Sequence, residues 1–312
     1  GLGADATNPT AIEGIFVAKG RPHSDPLIAH VADPADLERA AARVSQSAQA
    51  FIERFWPGPL TLIVPRAPTI PALVSAGGET IGVRMPDHAL ALELLRAAGT
   101  PVAAPSANRF MHTSPTTAAH VLSDLNGRID CVIDGGPCLV GVESTVLDVT
   151  RDPPRILRPG GVSLEALRTV DSRVLGPDES PAPATSAPAK APGQMERHYA
   201  PRTRLLVYEG NAPGTLEAML NRVASLIAEG KQVGALVPDE DVAAFAGAGV
   251  AVEPLGPADD LPAIARRLYA SLRSLDERRL DLIVAHTLGD EGIGLAIRDR
   301  LRRAAGGHIQ PL

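Results

Sequence analysis

With 312 residues and a mass of 32.5 kDa, the chain is long enough to bury a large core and too long for one small module, so two domains are expected. The formal net charge is -6 and evenly spread: residues 1–170 carry 14 basic and 17 acidic side chains and the remainder 16 and 19, which argues against a stable nucleic-acid footprint. No run approaches the ~18 to 20 apolar residues of a membrane span, and the start lacks the basic-then-apolar pattern of a signal peptide, so a cytoplasmic location without a membrane partner is expected.

Residues 1–170 alternate helical and extended patterns. Residues 34–55 read as one helix with Leu37, Ala40, Ala41, Val44 and Phe51 on or near one face, and 60–64, 80–84, 101–104, 131–134 and 144–149 read as short strands. This is a mixed α/β domain. Gly77-Gly78, Gly135-Gly136 and Gly160-Gly161 sit at strand ends, where glycine permits tight turns or close approach of backbone to a ligand. The cysteines, Cys131 and Cys138, fit no metal-ligand spacing and read as small buried residues rather than a zinc site or a disulfide.

From about residue 175 to 193 the composition shifts to Pro, Ala, Ser and Asp (GPDESPAPATSAPAKAPG), which cannot bury enough apolar surface to offset the ordering entropy and reads as an extended or mobile linker. Beyond it, 204–208, 233–237, 250–255 and 280–285 read as strands and 214–228, 239–245 and 257–275 as helices, with a last helix from Glu291. Leu261, Ile264, Ala265, Leu268, Leu272 and Leu275 give the third helix one apolar face. Strands alternating with helices predict a small, parallel, doubly wound sheet. Gly292-Ile293-Gly294 is an incomplete dinucleotide fingerprint; its plainer reading is a helix start packed closely on that sheet.

No phosphate loop of the Walker type, nucleophile elbow or metal-binding helix motif is present. Four other constellations carry chemistry. Lys19-Gly20-Arg21-Pro22, followed by Asp25, Pro26-Leu27 and His30, lets two cations flank a glycine and face one anion, Lys as a compact charge and Arg as a bidentate fork. In Thr80-Ile81-Gly82-Val83-Arg84 the strand alternation puts Thr80, Gly82 and Arg84 on one face, where a strand-end arginine suits a carboxylate. Ala104-Pro105-Ser106-Ala107-Asn108 is a polar loop after an apolar strand. Glu143-Ser144-Thr145-Val146 with Arg158-Pro159-Gly160 offers another hydroxyl and another guanidinium. Each alone has a plain structural reading: a solvated turn, an ion pair or a loop.

Taken in order and spacing (KGRP with PL and His30, TIGVRMP, PSAN, ESTVLDV with ILRPG, and HYAP at 198–201), the segments resemble the YrdC-like family, and with the second domain they are similar to its two-domain threonylcarbamoyl-AMP synthases. The resemblance implies a YrdC-like twisted α/β sheet with a concave cavity over residues 1–170, a Pro/Ala-rich linker and active-site lid over 171–201, and a smaller Rossmann-like parallel α/β domain over 202–312. The family's PT[DE]TVYGLG segment survives here only as Gly1-Leu2-Gly3, so the first domain is expected to be truncated at its N-terminus. The implied reaction joins L-threonine, bicarbonate and ATP into threonylcarbamoyl-AMP with release of pyrophosphate, for the t6A modification of tRNA.

By the same resemblance Lys19 and Arg21 are the catalytic cations, and Lys19, Arg21, Asp25, Thr80, Ser106, Ser114, Arg158 and Tyr199 bind ATP. His30, Arg84, the Ala104 backbone and Ser144 hold L-threonine. Asp25 stands where the family often has Asn. Mg2+ is expected to arrive with ATP, since no dedicated protein cage for it can be read, and the partner expected to take the product is a downstream tRNA threonylcarbamoyl transferase. Alternative readings are an RNA-binding YrdC-like module, which the acidic charge opposes, and a carbamoyl-transfer module, which lacks its usual zinc-finger cysteines here.

Overall fold

The computed structural model describes residues 1–179, 191–193, 197–210 and 213–311. Most of the Pro/Ala-rich stretch, residues 180–190 and 194–196, lies outside the described residues. The chain divides into two compact units, one of Gly1–Phe110, Ala118–Gly136 and Glu143–Gln194, the other of Met111–Thr117, Pro137–Val142 and Met195–Leu312. No helix among the described residues is long and apolar enough to cross a membrane.

The first unit is built on β1 (Ala4–Asp5), α1 (Pro9–Lys19), β2 (Ile28–His30), α2 (Gln46–Phe55), β3 (Leu60–Pro65), β4 (Thr80–Arg84), α3 (Ala89–Ala98), β5 (Val102–Ala103), α4 (Ala118–Leu125), β6 (Thr145–Asp148), β7 (Arg155–Arg158) and α5 (Leu164–Arg168). Its seven strands form one mixed sheet in the order β1-β5-β2-β4-β3-β6-β7, with β2–β4 and β3–β6 parallel and the other neighbours antiparallel. Alternation along the strands separates two faces. Ala29, Leu60, Leu62, Val64, Ile81, Val83, Ala103, Leu147 and Ile156 point into one large core with Ile12, Ile15 and Phe16 of α1 and Phe51 of α2. Among the described residues the opposite face carries a small apolar cluster, Ile63, Val146 and Ala191 with Leu157 against it. Thr61, Thr80, Gly82 and Arg84 alternate onto that face.

Three expectations fail here. The single helix over 34–55 is a 3-10 helix at Pro34–Arg39 followed by α2, because the intervening backbone is claimed by the end of β3: Ala42 N donates to the Pro65 carbonyl (2.9 Å) and Ala67 N to that of Ala40 (2.9 Å). A new helix then starts at Ser45, whose hydroxyl caps the Ala48 N–H. Residues 131–134 form no strand, and Ile133 is 55% exposed. Both cysteines are exposed and in no disulfide rather than buried, since the run that was to carry Cys131 into a sheet finds no partner strand among the described residues.

The second unit contains β8 (Arg204–Glu209), α6 (Pro213–Ala228), β9 (Val233–Val237), β10 (Ala251–Pro254), α7 (Leu261–Glu277), β11 (Leu282–His286), α8 (Gly294–Ala305) and β12 (Ile309–Pro311). All five strands are parallel, in the order β10-β9-β11-β8-β12. Ile264, Leu268, Leu272 and Leu275 of α7 pack with Ile297 and Leu301 of α8 on one face, and Met219, Val223 and Leu226 of α6 pack with Phe245 on the other, so the sheet is covered on both sides. Gly294 opens α8 so close to the preceding loop that a Cβ there would lie 3.1 Å from the Gly289 carbonyl oxygen. The Gly-Ile-Gly segment is thus a close-packed helix start.

Candidate active site

The first wall of the site begins where α1 ends. Asn8 accepts from Thr10 N and Ala11 N to start that helix, and Gly20, at φ 64°, ends it in the left-handed conformation. Arg21 N then reaches back to the Phe16 carbonyl (3.0 Å). This turn places Lys19 and Arg21 on either side of a glycine with both side chains buried, at 2% and 6% exposure. The Lys19 ammonium donates to the carbonyl oxygens of Ser106 (2.5 Å) and Asn108 (2.6 Å) and, at 3.4 Å, to the Asn108 side-chain oxygen, so it ties the PSAN loop to the end of α1. Arg21 donates through Nε to the Asp25 carbonyl (3.1 Å) and through Nη2 to that of Pro26 (2.6 Å), and Nη2 lies 3.0 Å from Asp25 Oδ2.

The second wall is the polar face of the sheet. Register pairs His30 with Arg84 and Ile28 with Gly82 across β2 and β4, and Ala104 N donates to the Ile28 carbonyl (3.0 Å). A Cβ on Gly82 would lie 3.1 Å from Thr61 Cγ2 and 3.2 Å from Ile28 Cγ1, so the glycine keeps the middle of this face low. Thr80 starts the same strand on the same face, two alternations from Arg84. Arg84 Nε donates to the Gly58 carbonyl (2.9 Å). A register shift between β6 and β7 leaves Ile156 in the core but puts both Leu157 and Arg158 on the polar side, as a β-bulge does when it re-aims a side chain. Arg158 there grips Ser144, Nη2 to its carbonyl (2.9 Å) and its hydroxyl (3.2 Å), and Ser144 Oγ shares a hydrogen bond with Thr61 Oγ1 (2.7 Å). Gly160 lets the two segments touch: a Cβ would fall 2.3 Å from the Glu143 carbonyl oxygen.

Electrostatics couple these groups. Burial first, then Arg21 and Arg109, press the Lys19 ammonium down to about 7, against the opposing pull of Asp25 and Asp124. Burial raises Asp25, while Arg21, Lys19 and Arg158 draw it back. Arg84 is lowered to about 10 by burial and by Arg158, and His30 to about 3 by burial and by Arg84, so the imidazole is neutral at physiological pH. Five cations thus bear on a region where, among the described residues, the buried Asp25 carboxylate is already held by Arg21, an arrangement that favours an anion carrying several charges.

The chain matches the family model described as "Telomere recombination" over residues 1–160 and the one described as "Threonylcarbamoyl-AMP synthase, C-terminal domain" over residues 162–306. It is 40% identical to the threonylcarbamoyl-AMP synthase of Pyrococcus abyssi, over 99% of this chain and 88% of the relative, and 43% identical to that of Bacillus subtilis, over 99% and 87%. The crystal structure of P. abyssi Sua5 complexed with L-threonine superposes with a TM-score of 0.92 at 40% identity, covering 99% of this chain and 88% of that one. The chain belongs to the two-domain threonylcarbamoyl-AMP synthase family.

Of the residues that resemblance to the synthases selected, Lys19, Arg21, Asp25, His30, Thr80, Arg84, Ala104, Ser106, Ser144 and Arg158 all lie in the first unit, on the α1 turn, the PSAN loop and the polar sheet face. Ser114 and Tyr199 belong to the second unit. There the Ser114 carbonyl accepts from Arg273 Nε (3.2 Å), and Tyr199, at φ 60° and 2% exposure, packs edge-on to His198 with the Arg300 guanidinium 5.0 Å from its ring centre. Sequence reasoning missed four supports in the candidate site. Gly58 steadies Arg84, Thr61 steadies Ser144, the Pro192 carbonyl accepts from Arg158 Nη1 (3.1 Å), and Ala191 is fully buried against Ile63 and Val146. Only Thr61 had a signal, a hydroxyl inside an otherwise apolar strand.

Proposed function

We infer that this chain is a threonylcarbamoyl-AMP synthase, an ATP-using nucleotidyltransferase that supplies the t6A modification of tRNA. The observation that carries the reading is the gathering of Lys19, Arg21, Arg84 and Arg158 with the buried Asp25 carboxylate at a face kept low by Gly82. A nucleotide triphosphate and an amino-acid carboxylate are the anions such a face suits. Lys19, Arg21, Asp25 and Arg158 serve the phosphates, Arg21 as the fork and Lys19 as a charge that also fixes the Ser106 loop. Thr80 and Ser106 complete the nucleotide side, and resemblance to the synthases adds Ser114 and Tyr199 as ATP-binding residues. His30, Arg84, the Ala104 backbone and Ser144 hold L-threonine, and the neutral imidazole leaves Arg84 as the cation for the carboxylate.

Threonine's amine and bicarbonate condense to a carbamate and water. A carbamate oxygen then attacks the α-phosphorus of ATP, the bond from that phosphorus to the bridging oxygen breaks, and pyrophosphate leaves with the electron pair. No covalent enzyme intermediate is required, so the protein's work is positioning plus electrostatic stabilisation of the phosphates. Among the described residues no group of three His, Cys, Asp or Glu could hold a metal, and Asp25 is engaged by Arg21. Mg2+ is expected to arrive with ATP, where it would supply charge neutralisation on the phosphates.

The domain division we propose is a catalytic domain over 1–170, a linker over 171–201 that closes on ATP, and a C-terminal domain over 202–312. Burial of Ala191 and the bond from Arg158 to Pro192 support the lid. The product, a mixed anhydride, passes in the cytoplasm to a tRNA threonylcarbamoyl transferase by transient contact. Pyrophosphate release from ATP is expected only when L-threonine and bicarbonate are both present; release independent of threonine would overturn the assignment.

A further inference from the structure

Arg109 follows the PSAN loop directly, and its backbone is fixed on both sides. Asn108 Nδ2 donates to its carbonyl (2.8 Å), and the next residue, Phe110, donates through its backbone N–H to the Lys19 carbonyl (2.9 Å). The side chain is thereby brought against the turn that carries the catalytic cations: Nη2 lies 3.4 Å from where a Cβ on Gly20 would stand, and the guanidinium repels the Lys19 ammonium. Yet Arg109 Nη1 is buried with no hydrogen-bond partner, and no carboxylate among the described residues pairs with the group. Native structures rarely leave a charged donor in that condition, because its lost hydration is recovered only through a matching acceptor. Like-charged Lys19 and Arg21 add to the cost. All three are relieved together by one ligand with several anionic oxygens. That ligand is not the amino acid, whose carboxylate holder Arg84 lies on β4 and is influenced by Arg158 and Asp87, not by Arg109.

We propose that Arg109 is a further substrate-binding residue of this enzyme, its guanidinium forking onto the terminal phosphates of ATP and holding them as they leave as pyrophosphate. The proposal rests on the nucleotidyl-transfer reading above and adds a residue to it. It gives the phosphate half of the site a cation supplied by the PSAN loop, so that the loop reads both ends of the Lys19 clamp. A planar fork suits two phosphate oxygens in a way an ammonium does not.

The test is calorimetric titration of the full chain and of Arg109→Gln and Arg109→Lys with inorganic pyrophosphate, ATP and L-threonine, together with steady-state kinetics. Arg109→Gln is expected to weaken pyrophosphate and ATP at least 10-fold and to raise the KM for ATP similarly, with threonine affinity unchanged. Arg109→Lys, which keeps the charge and the fold but loses the fork, is expected to fall between the two. Pyrophosphate binding to either variant as tightly as to the unaltered protein overturns the proposal, as does an equal loss for threonine. Because pyrophosphate binding is read without turnover, this failure is distinct from threonine-independent pyrophosphate release by the unaltered protein, which would remove the functional reading itself.

Discussion

Each of the two sheets has a glycine in an interior strand, Gly82 in β4 and Gly234 in β9, and the two are kept for opposite reasons. A Cβ on Gly234 would meet the side chains of Leu280 (2.6 Å) and Leu275 (3.1 Å), which belong to the core under α7. A Cβ on Gly82 would meet Thr61 and Ile28 on the face that holds Arg84, His30 and Ser144. The parallel sheet, covered on both faces, spends its glycine on packing. The mixed sheet packs its large core on one face and, beside a small apolar cluster, gives the other to hydroxyls, guanidinium groups and a glycine. Polar and charged side chains gather on the face opposite the large core.

The largest effect expected from that contrast comes from filling the lower face. Gly82→Val is compatible with extended backbone and should leave the sheet formed, but it raises a branched side chain between Thr61 and Ile28. We expect turnover to fall by about 100-fold, about 3 kcal/mol in transition-state stabilisation, with a small change in thermal midpoint. Turnover near the unaltered level would mean that the low face is not where substrates lie. Next in size is a split between the two kinds of cation. Arg84→Met should weaken L-threonine by about 2 kcal/mol and ATP much less, and Arg21→Met the reverse, as for loss of charge-assisted hydrogen bonds. Calorimetry with each ligand checks this, and equal losses for both ligands would show that the face does not divide into a phosphate end and a carboxylate end.

How much of this was legible beforehand follows from the range of the interactions. Strands β3 and β4 and the helices of the second unit could be read because alternation and the 3.6-residue stripe are local, and α7 buries the face its sequence marks. The candidate site residues came from the order of short motifs, not from any one of them. What could not be read is the acceptor side of each contact. Arg84 is steadied by the Gly58 carbonyl and Lys19 by those of Ser106 and Asn108, and backbone oxygens carry no mark in a sequence. The same blindness explains the helix expected over 34–55, where the Pro65 carbonyl competes for the backbone of Ala42. Exposed Cys131 and Cys138 show that an apolar run predicts burial only if a partner strand exists.

A smaller effect sharpens the electrostatic half of the contrast. With its folded value near 7 and an ordinary lysine value near 10.5, Lys19 is mostly unprotonated in the folded chain at pH 8 and protonated in the unfolded one. The unfolded state then binds more protons, so this group makes stability rise with pH between those two values, by roughly 1 kcal/mol per unit near pH 8. Urea titrations at pH 7, 8 and 9 should show that slope, and Lys19→Met should flatten it. An unchanged slope in the variant would place the titration elsewhere.

The smallest effect is the counterpart substitution in the second sheet. Gly234→Ala sets a methyl against Leu280 and Leu275, and overpacking of this kind costs about 1 kcal/mol or somewhat more. Loss of glycine's freedom in the unfolded chain returns part of it, about 0.5 kcal/mol. Leu280 offers only the end of a flexible side chain at the point of contact, so the core can give by a rotamer change. The net should be a destabilisation under about 1 kcal/mol, read as a shift in the urea midpoint, with threonine and ATP affinities untouched. If this change weakened either ligand, Gly234 would have to be read as Gly82 is, and the division between a packing sheet and a chemical sheet would fail at its simplest point.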